Sequence, residues 1–102
     1  MADYLLRSLA RDDLEAIWDY TAENWGLNQA ERYLEQIFQA FTDISDNPKI
    51  GKVRDDVKIG YRSFPQGRHV IFYKDVDDRI EIIGVVHQSA DVDRHTGLIA
   101  DT

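Results

Sequence analysis

Four side chains of this 102-residue sequence are of the types that cleave a phosphodiester: Arg62, Arg68, Tyr73 and His87. Scission by a 2′-hydroxyl needs a base for that hydroxyl, a cation for the phosphate and an acid for the leaving oxygen. The competing reading is structural: Tyr73 sits in an apolar run, and the arginines have 19 Asp and Glu residues to pair with. A second constellation, His87, Gln88, Asp91, Asp93 and His95, has the residue types of a metal site. No H-x-E, HExxH or Cys/His spacing accompanies it, so neither a metal nor a cofactor is expected.

Whether these groups converge depends on the elements that carry them. Asp3 to Ser8 reads as a short strand, with Ser8 placed to cap a helix running to about Asn24. Leu14, Ile17, Trp18, Thr21 and Trp25 share one face of that helix at its natural period, and Asp12 and Asp13 fall in its first turn. Gly26 ends it. Asn28 and Glu31 form a capping-box pair for a second helix, in which Ala30, Tyr33, Leu34, Ile37, Phe38, Phe41 and Ile44 repeat at three and four residues. Asp46-Asn47-Pro48 stops it. The short connection predicts an antiparallel helical hairpin.

From Lys49 to Gly60 the pattern reads as a loop, and then the period drops to two. "YRSF" is a short strand, "PQG" a turn, "RHVIFYKDV" a strand, Asp77-Asp78 a tight turn and "RIEIIGVVH" the returning strand. In the last, Ile80, Ile82, Gly84 and Val86 fall on one face and Glu81, Ile83, Val85 and His87 on the other. The expected fold is α+β, in the order β-α-α-β-β-β, with the helical hairpin packed on a small antiparallel sheet. Ile17, Trp18, Leu34, Ile37, Phe38, Phe41, Val70, Phe72, Ile82 and Val86 are the expected core.

Bulk properties exclude several classes. One domain spanning 1–102 suits the length, with its core in 1–95 and a polar tail over 96–102. A net charge of −7 and a pI near 4.7 argue against direct nucleic-acid binding, although basic residues cluster between Lys49 and Lys74. There are no cysteines, so disulfides and thiolate metal sites are excluded. No apolar run approaches the ~20 residues of a membrane span. Arg7 and Arg11 interrupt the place of a signal peptide, so a cytoplasmic protein without a membrane anchor is expected.

The blocks "DLEAIWDYTAENWG" (Asp13 to Gly26), "QAERYLEQI" (Gln29 to Ile37), "NPKIGKVRDDVKIGYRSFPQGRHVIFY" (Asn47 to Tyr73) and "VVHQSADVDRH" (Val85 to His95) give the chain a further meaning. Over Tyr4 to about Asp93 it resembles the ParE toxins of the ParE/RelE superfamily, the toxin half of type II toxin–antitoxin modules. The resemblance implies a RelE/ParE-like fold, a ParD-like antitoxin that wraps the toxin through a helical segment, and DNA gyrase as the target. RelE relatives instead cut mRNA on the ribosome. Where they carry basic residues on the central strands, this chain has Val70, and "GVVHQSAD" offers Gly84, Ser89 and Ala90; no tyrosine follows Val92. Many ParE sequences end in a version of R-V-L-H-Q-R-M-D, so Gly84, Ser89 and Ala90 also remove charge and bulk there.

The resemblance therefore implies a binding toxin rather than an enzyme. A ribosome-dependent endonuclease, or a degenerate toxin that only binds its antitoxin, are the alternatives. Arg62, Arg68, His69, His87, Gln88, Asp91, Asp93, Arg94 and His95 are the expected target contacts. Trp18, Trp25, Tyr33, Tyr61 and Phe64 are the expected antitoxin contacts.

Overall fold

A computed structural model describes residues 4–90; the expectations placed on Asp91, Asp93, Arg94, His95 and the polar tail lie outside the described residues. The elements are β1 (Tyr4–Leu6), α1 (Ser8–Trp25), α2 (Leu27–Asp46), β2 (Lys52–Val53), β3 (Arg62–Gln66), β4 (His69–Val76) and β5 (Arg79–His87). The expected order stands, with β2 added inside the segment read as a loop.

The strands form one five-stranded sheet in the order β1-β5-β4-β3-β2. It is mixed rather than antiparallel, because β1 pairs parallel to β5, Tyr4 opposite Ile80 and Leu6 opposite Ile82. The reason lies in the connections. Strands joined by tight turns must run antiparallel, whereas β1 reaches the sheet only through the helical crossover, which permits a parallel pair. The β4–β5 turn is Asp77-Asp78, with φ of 52° and 65°. Both values are positive, as the twist-compatible hairpin turn requires.

One residue makes the helical hairpin. Gly26 ends α1 and begins α2, at φ 93° and ψ 165°, a conformation a side chain would strain. Its amide donates to the carbonyl of Ala22, and its carbonyl accepts from Ala30. The expected capping box at Asn28 is therefore not used: α2 already starts at Leu27. Ser8 is likewise the first helical residue rather than the cap, Arg7 holds the cap position without a side-chain bond, and the first turn of α1 contains no acid.

The helices bury narrower stripes than expected. In α1 the buried residues are Ala10, Leu14, Ile17 and Thr21; in α2 they are Ala30, Ile37, Ala40, Phe41 and Ile44. Trp18 and Phe38, placed in the core from periodicity, are 37% and 41% exposed. Each is one residue, about 100° of helix, past a fully inward neighbour (Ile17, Ile37) and lies on the flank. Phe38 meets Phe41 edge to face at 5.7 Å between ring centres. Leu34 and Val70 are half-buried, and Ile17, Ile37, Phe41, Phe72, Ile82 and Val86 are buried as expected.

The alternation along β5 is broken by a bulge. Phe72 faces Gly84 but Tyr73 faces Ile82, so Ile83 has no partner on β4. The face under the helices carries Ile80, Ile82 and then Val85, while Ile83 and Val86 join Tyr61 and Phe72 in a second cluster on the other face. The expected grouping of Val86 with Ile80 and Ile82 fails for this reason. Beyond the bulge, Val85 and His87 both turn toward the helix side.

Candidate functional site

A groove of about 1070 Å³ opens between α1, the start of α2 and the distal ends of β4 and β5. Its α1 wall is the stripe Asp13, Ala16, Ile17, Tyr20 and Thr21, with Trp25 at the far end. These residues follow the i, i+3, i+4 rule, but the stripe starts one residue before the one expected from hydrophobicity. The opposite wall is Arg68, His69, Val85, Val86 and His87, with Tyr33 and Gln29 contributed by α2.

Tyr33 organises the polar end. Its hydroxyl lies 2.6 Å from Nδ1 of His69 and 3.1 Å from the carbonyl of Gln66, and it accepts the amide of Arg68 at 3.1 Å. Three residues of the β3–β4 turn are thus tied to one helical side chain. Gly67 is the fourth: at φ 59° its backbone passes so close to Tyr33 that an added Cβ would lie 2.7 Å from the ring. Burial raises the Tyr33 phenol pKa, opposed by the amide bond and positive charge of Arg68. Burial, reinforced by the nearby His87, pushes His69 down to about 4, so its imidazole is neutral near pH 7.

His69 and His87 stand directly opposite each other on β4 and β5, their ring centres 5.4 Å apart at 83°. Nδ1 of His87 accepts the amide of Ser89 and lies 2.7 Å from its hydroxyl. No group of three or more metal-ligating side chains forms among the described residues.

The groove unites residues assigned above to separate surfaces. Trp25 and Tyr33, expected to meet an antitoxin, line the same cavity as Arg68, His69 and His87, expected to meet a target. Trp18, Phe64, Arg62 and Gln88 are not among its lining residues. Phe64 packs half-buried against the main core. Tyr61 is only 1% exposed and packs with Phe72 in the second cluster, so its side chain is withdrawn from any docking surface. Asp13, Ile17, Tyr20 and Thr21 line the groove although none of them is among the expected contacts: Ile17 and Thr21 belong to the stripe expected to pack inward, and Asp13 to the first turn of α1.

The four groups weighed for phosphodiester cleavage do not share this cavity. Only Arg68 and His87 reach it. Tyr73 is fully buried, its hydroxyl donating to the carbonyl of Pro48 at 2.8 Å and accepting the amide of Gly51 at 2.9 Å. Arg62 donates to the carbonyl of Gly51 at 2.8 Å. Together they anchor the chain leaving α2, and burial raises the Tyr73 pKa further above its ordinary range.

A small α+β domain with a helical hairpin on one face of a mixed sheet has counterparts among known proteins. Residues 4–92 match the family described as ParE toxin of the type II toxin–antitoxin system parDE, and the chain belongs to that family. It is 41% identical over 93 residues to Toxin ParE1 of Mycobacterium tuberculosis, covering 90% of this chain and 95% of that one. It is 37% identical over 97 residues to Toxin ParE1 of Caulobacter vibrioides, covering 95% of this chain and 100% of that one. Among solved structures, "Chromosomal ParDE TA system from P. aeruginosa" superposes with a TM-score of 0.72 at 18% identity, over 85% of this chain and 96% of that chain, a likeness of fold.

Proposed function

We propose that this ParE-family toxin acts by binding alone. In the neutral state a helical segment of a ParD-like antitoxin fills the groove between α1 and the ends of β4 and β5. Free toxin engages DNA gyrase in the cytoplasm and blocks it without chemistry of its own. The observation that carries this reading is the groove itself, whose wall places Ile17, Trp25 and Val85 beside a polar end built on Tyr33. At about 1070 Å³ it is at the top of the range for small-molecule pockets and suits the apolar face of a helix. The commitment of Arg62 and Tyr73 to backbone carbonyls and amides supports binding over catalysis.

The test is induction of the protein alone, followed by growth, DNA-damage signalling and mRNA integrity. Growth arrest with a DNA-damage response and intact mRNA is expected. Rapid cleavage of translated mRNA would replace binding by an endonuclease, and normal growth would leave only an antitoxin-binding role. Co-expression with the neighbouring small reading frame should restore growth and yield a complex that co-purifies.

A further inference from the structure

The polar end of the groove is rich in donors. The amide of Gln88 donates to the carbonyl of Arg68 at 2.8 Å, which makes His69 and His87 a non-hydrogen-bonded cross-strand pair, the kind whose side chains approach most closely. Because Nδ1 of His87 accepts the amide of Ser89, the neutral ring carries its proton on Nε2. That N–H has no protein acceptor among the described residues. Arg68 is exposed, and its backbone is fixed at both ends, by Tyr33 through its amide and by Gln88 through its carbonyl. Its guanidinium meets no carboxylate among the described residues.

The groove wall includes one carboxylate, Asp13 on α1, whose Oδ2 accepts the amide of Val85 at 2.9 Å. A purely apolar occupant would strip water from the donors of Arg68 and His87 and return nothing. A carboxylate can accept from both and neutralise the guanidinium.

We infer that the helical segment occupying this groove carries an aspartate or glutamate that seats against Arg68 and His87, and that this corner fixes its register. Tyr33 serves as a positioning residue, since it holds the turn that presents Arg68. The inference rests on the docking reading proposed above and adds the chemistry of the contact.

The test uses the complex with the antitoxin encoded beside the toxin. Affinity is measured for the native chain, Arg68→Gln and His87→Gln, each against native antitoxin and against antitoxins with single acidic residues changed to the matching amide. Arg68→Gln should weaken binding roughly tenfold at low salt, with the loss shrinking as salt rises. One acidic position should lose its effect in the Arg68→Gln background. Unchanged affinity for Arg68→Gln with a native circular dichroism spectrum, or no acidic position coupled to it, overturns the inference. Ala16→Trp, which intrudes on the groove from the exposed face of α1, separates the two levels. If Ala16→Trp abolishes binding while Arg68→Gln does nothing, docking stands and the carboxylate contact is wrong. If Ala16→Trp leaves affinity intact, the groove is not the docking site and both readings fall.

Discussion

The hydroxyl of Tyr33, on α2, stands 2.6 Å from Nδ1 of His69, on β4, across 36 residues of chain. The same oxygen accepts the amide of Arg68. Removing it should loosen the β3–β4 turn without emptying the core. Tyr33→Phe is expected to cost about 1–2 kcal/mol, the loss of one well-satisfied, part-buried hydroxyl. Denaturant titration checks this, and an unchanged midpoint would mean that the turn holds itself.

The depressed pKa of His69 gives stability a pH dependence of definite sign. In the unfolded chain this histidine takes a proton below about 6.5, whereas in the fold it does so only below about 4. Between these values the unfolded state binds more protons, so the fold loses stability as pH falls from 6.5 to 4. Tyr33, Arg68, Asp13 and His87 share the groove with this ring. His69→Gln should flatten the loss in that window. Unfolding curves of both proteins from pH 7 to 4 decide, and parallel pH profiles would contradict the assignment.

Gly67 and Gly60 both have positive φ, at 59° and 93°, but differ in what a methyl group would meet. At Gly60 an added Cβ finds nothing within 4 Å; at Gly67 it would collide with the Tyr33 ring. Gly60→Ala should cost about 1–2 kcal/mol from backbone strain alone. Gly67→Ala should exceed it by about 1 kcal/mol or more, because the clash adds to the strain. Equal melting shifts for the two variants would remove the proposed contact between turn and ring.

Phe41 and Phe38 are separated by one helical turn, yet only Phe41 is sealed from solvent. Phe41→Ala is expected to destabilise by about 3–5 kcal/mol, the range for a buried ring. Phe38→Ala should cost less than half of that, because 41% of the residue already meets water and no closed cavity forms. A larger effect at Phe38 than at Phe41 would reverse the packing described for α2.

Much of this architecture was legible in the residues. Gly26, the Asn47-Pro48 stop and the Asp77-Asp78 turn mark element ends by local backbone chemistry, which neighbours in sequence are enough to specify. The strand β2 was not legible because Lys52–Val53 is too short to show alternation and forms only by pairing with Arg62 and Ser63. The parallel pairing of β1 is hidden for a similar reason, since three residues carry no mark of their neighbour's direction. Helical periodicity located the inward faces of α1 and α2 but could not choose between Ile17 and Trp18, or between Ile37 and Phe38, as the centre of each stripe. Arg68, His69 and His87 were picked out by residue type. The meeting of Arg68 and His69 with Tyr33 depends on a helix–turn contact across more than 30 residues, which local pattern does not encode.

The bulge at Ile83 means that β5 is written in two frames. Up to Ile82, even-numbered residues face the helices; from Val85 onward, odd-numbered residues do. Removing one residue at this point would restore a regular ladder and leave Val85 opposite Ile71 and His87 opposite His69, on the helix side as before. Flattening the bulge at constant length would instead slide the register by one residue, carry the side chain of Val86 rather than Val85 to the helix face and turn the imidazole of His87 away from His69. The extra residue therefore acts as a phase corrector: the two halves of β5 are out of step in sequence, and this one unpaired position lets both present their side chains to the same helices.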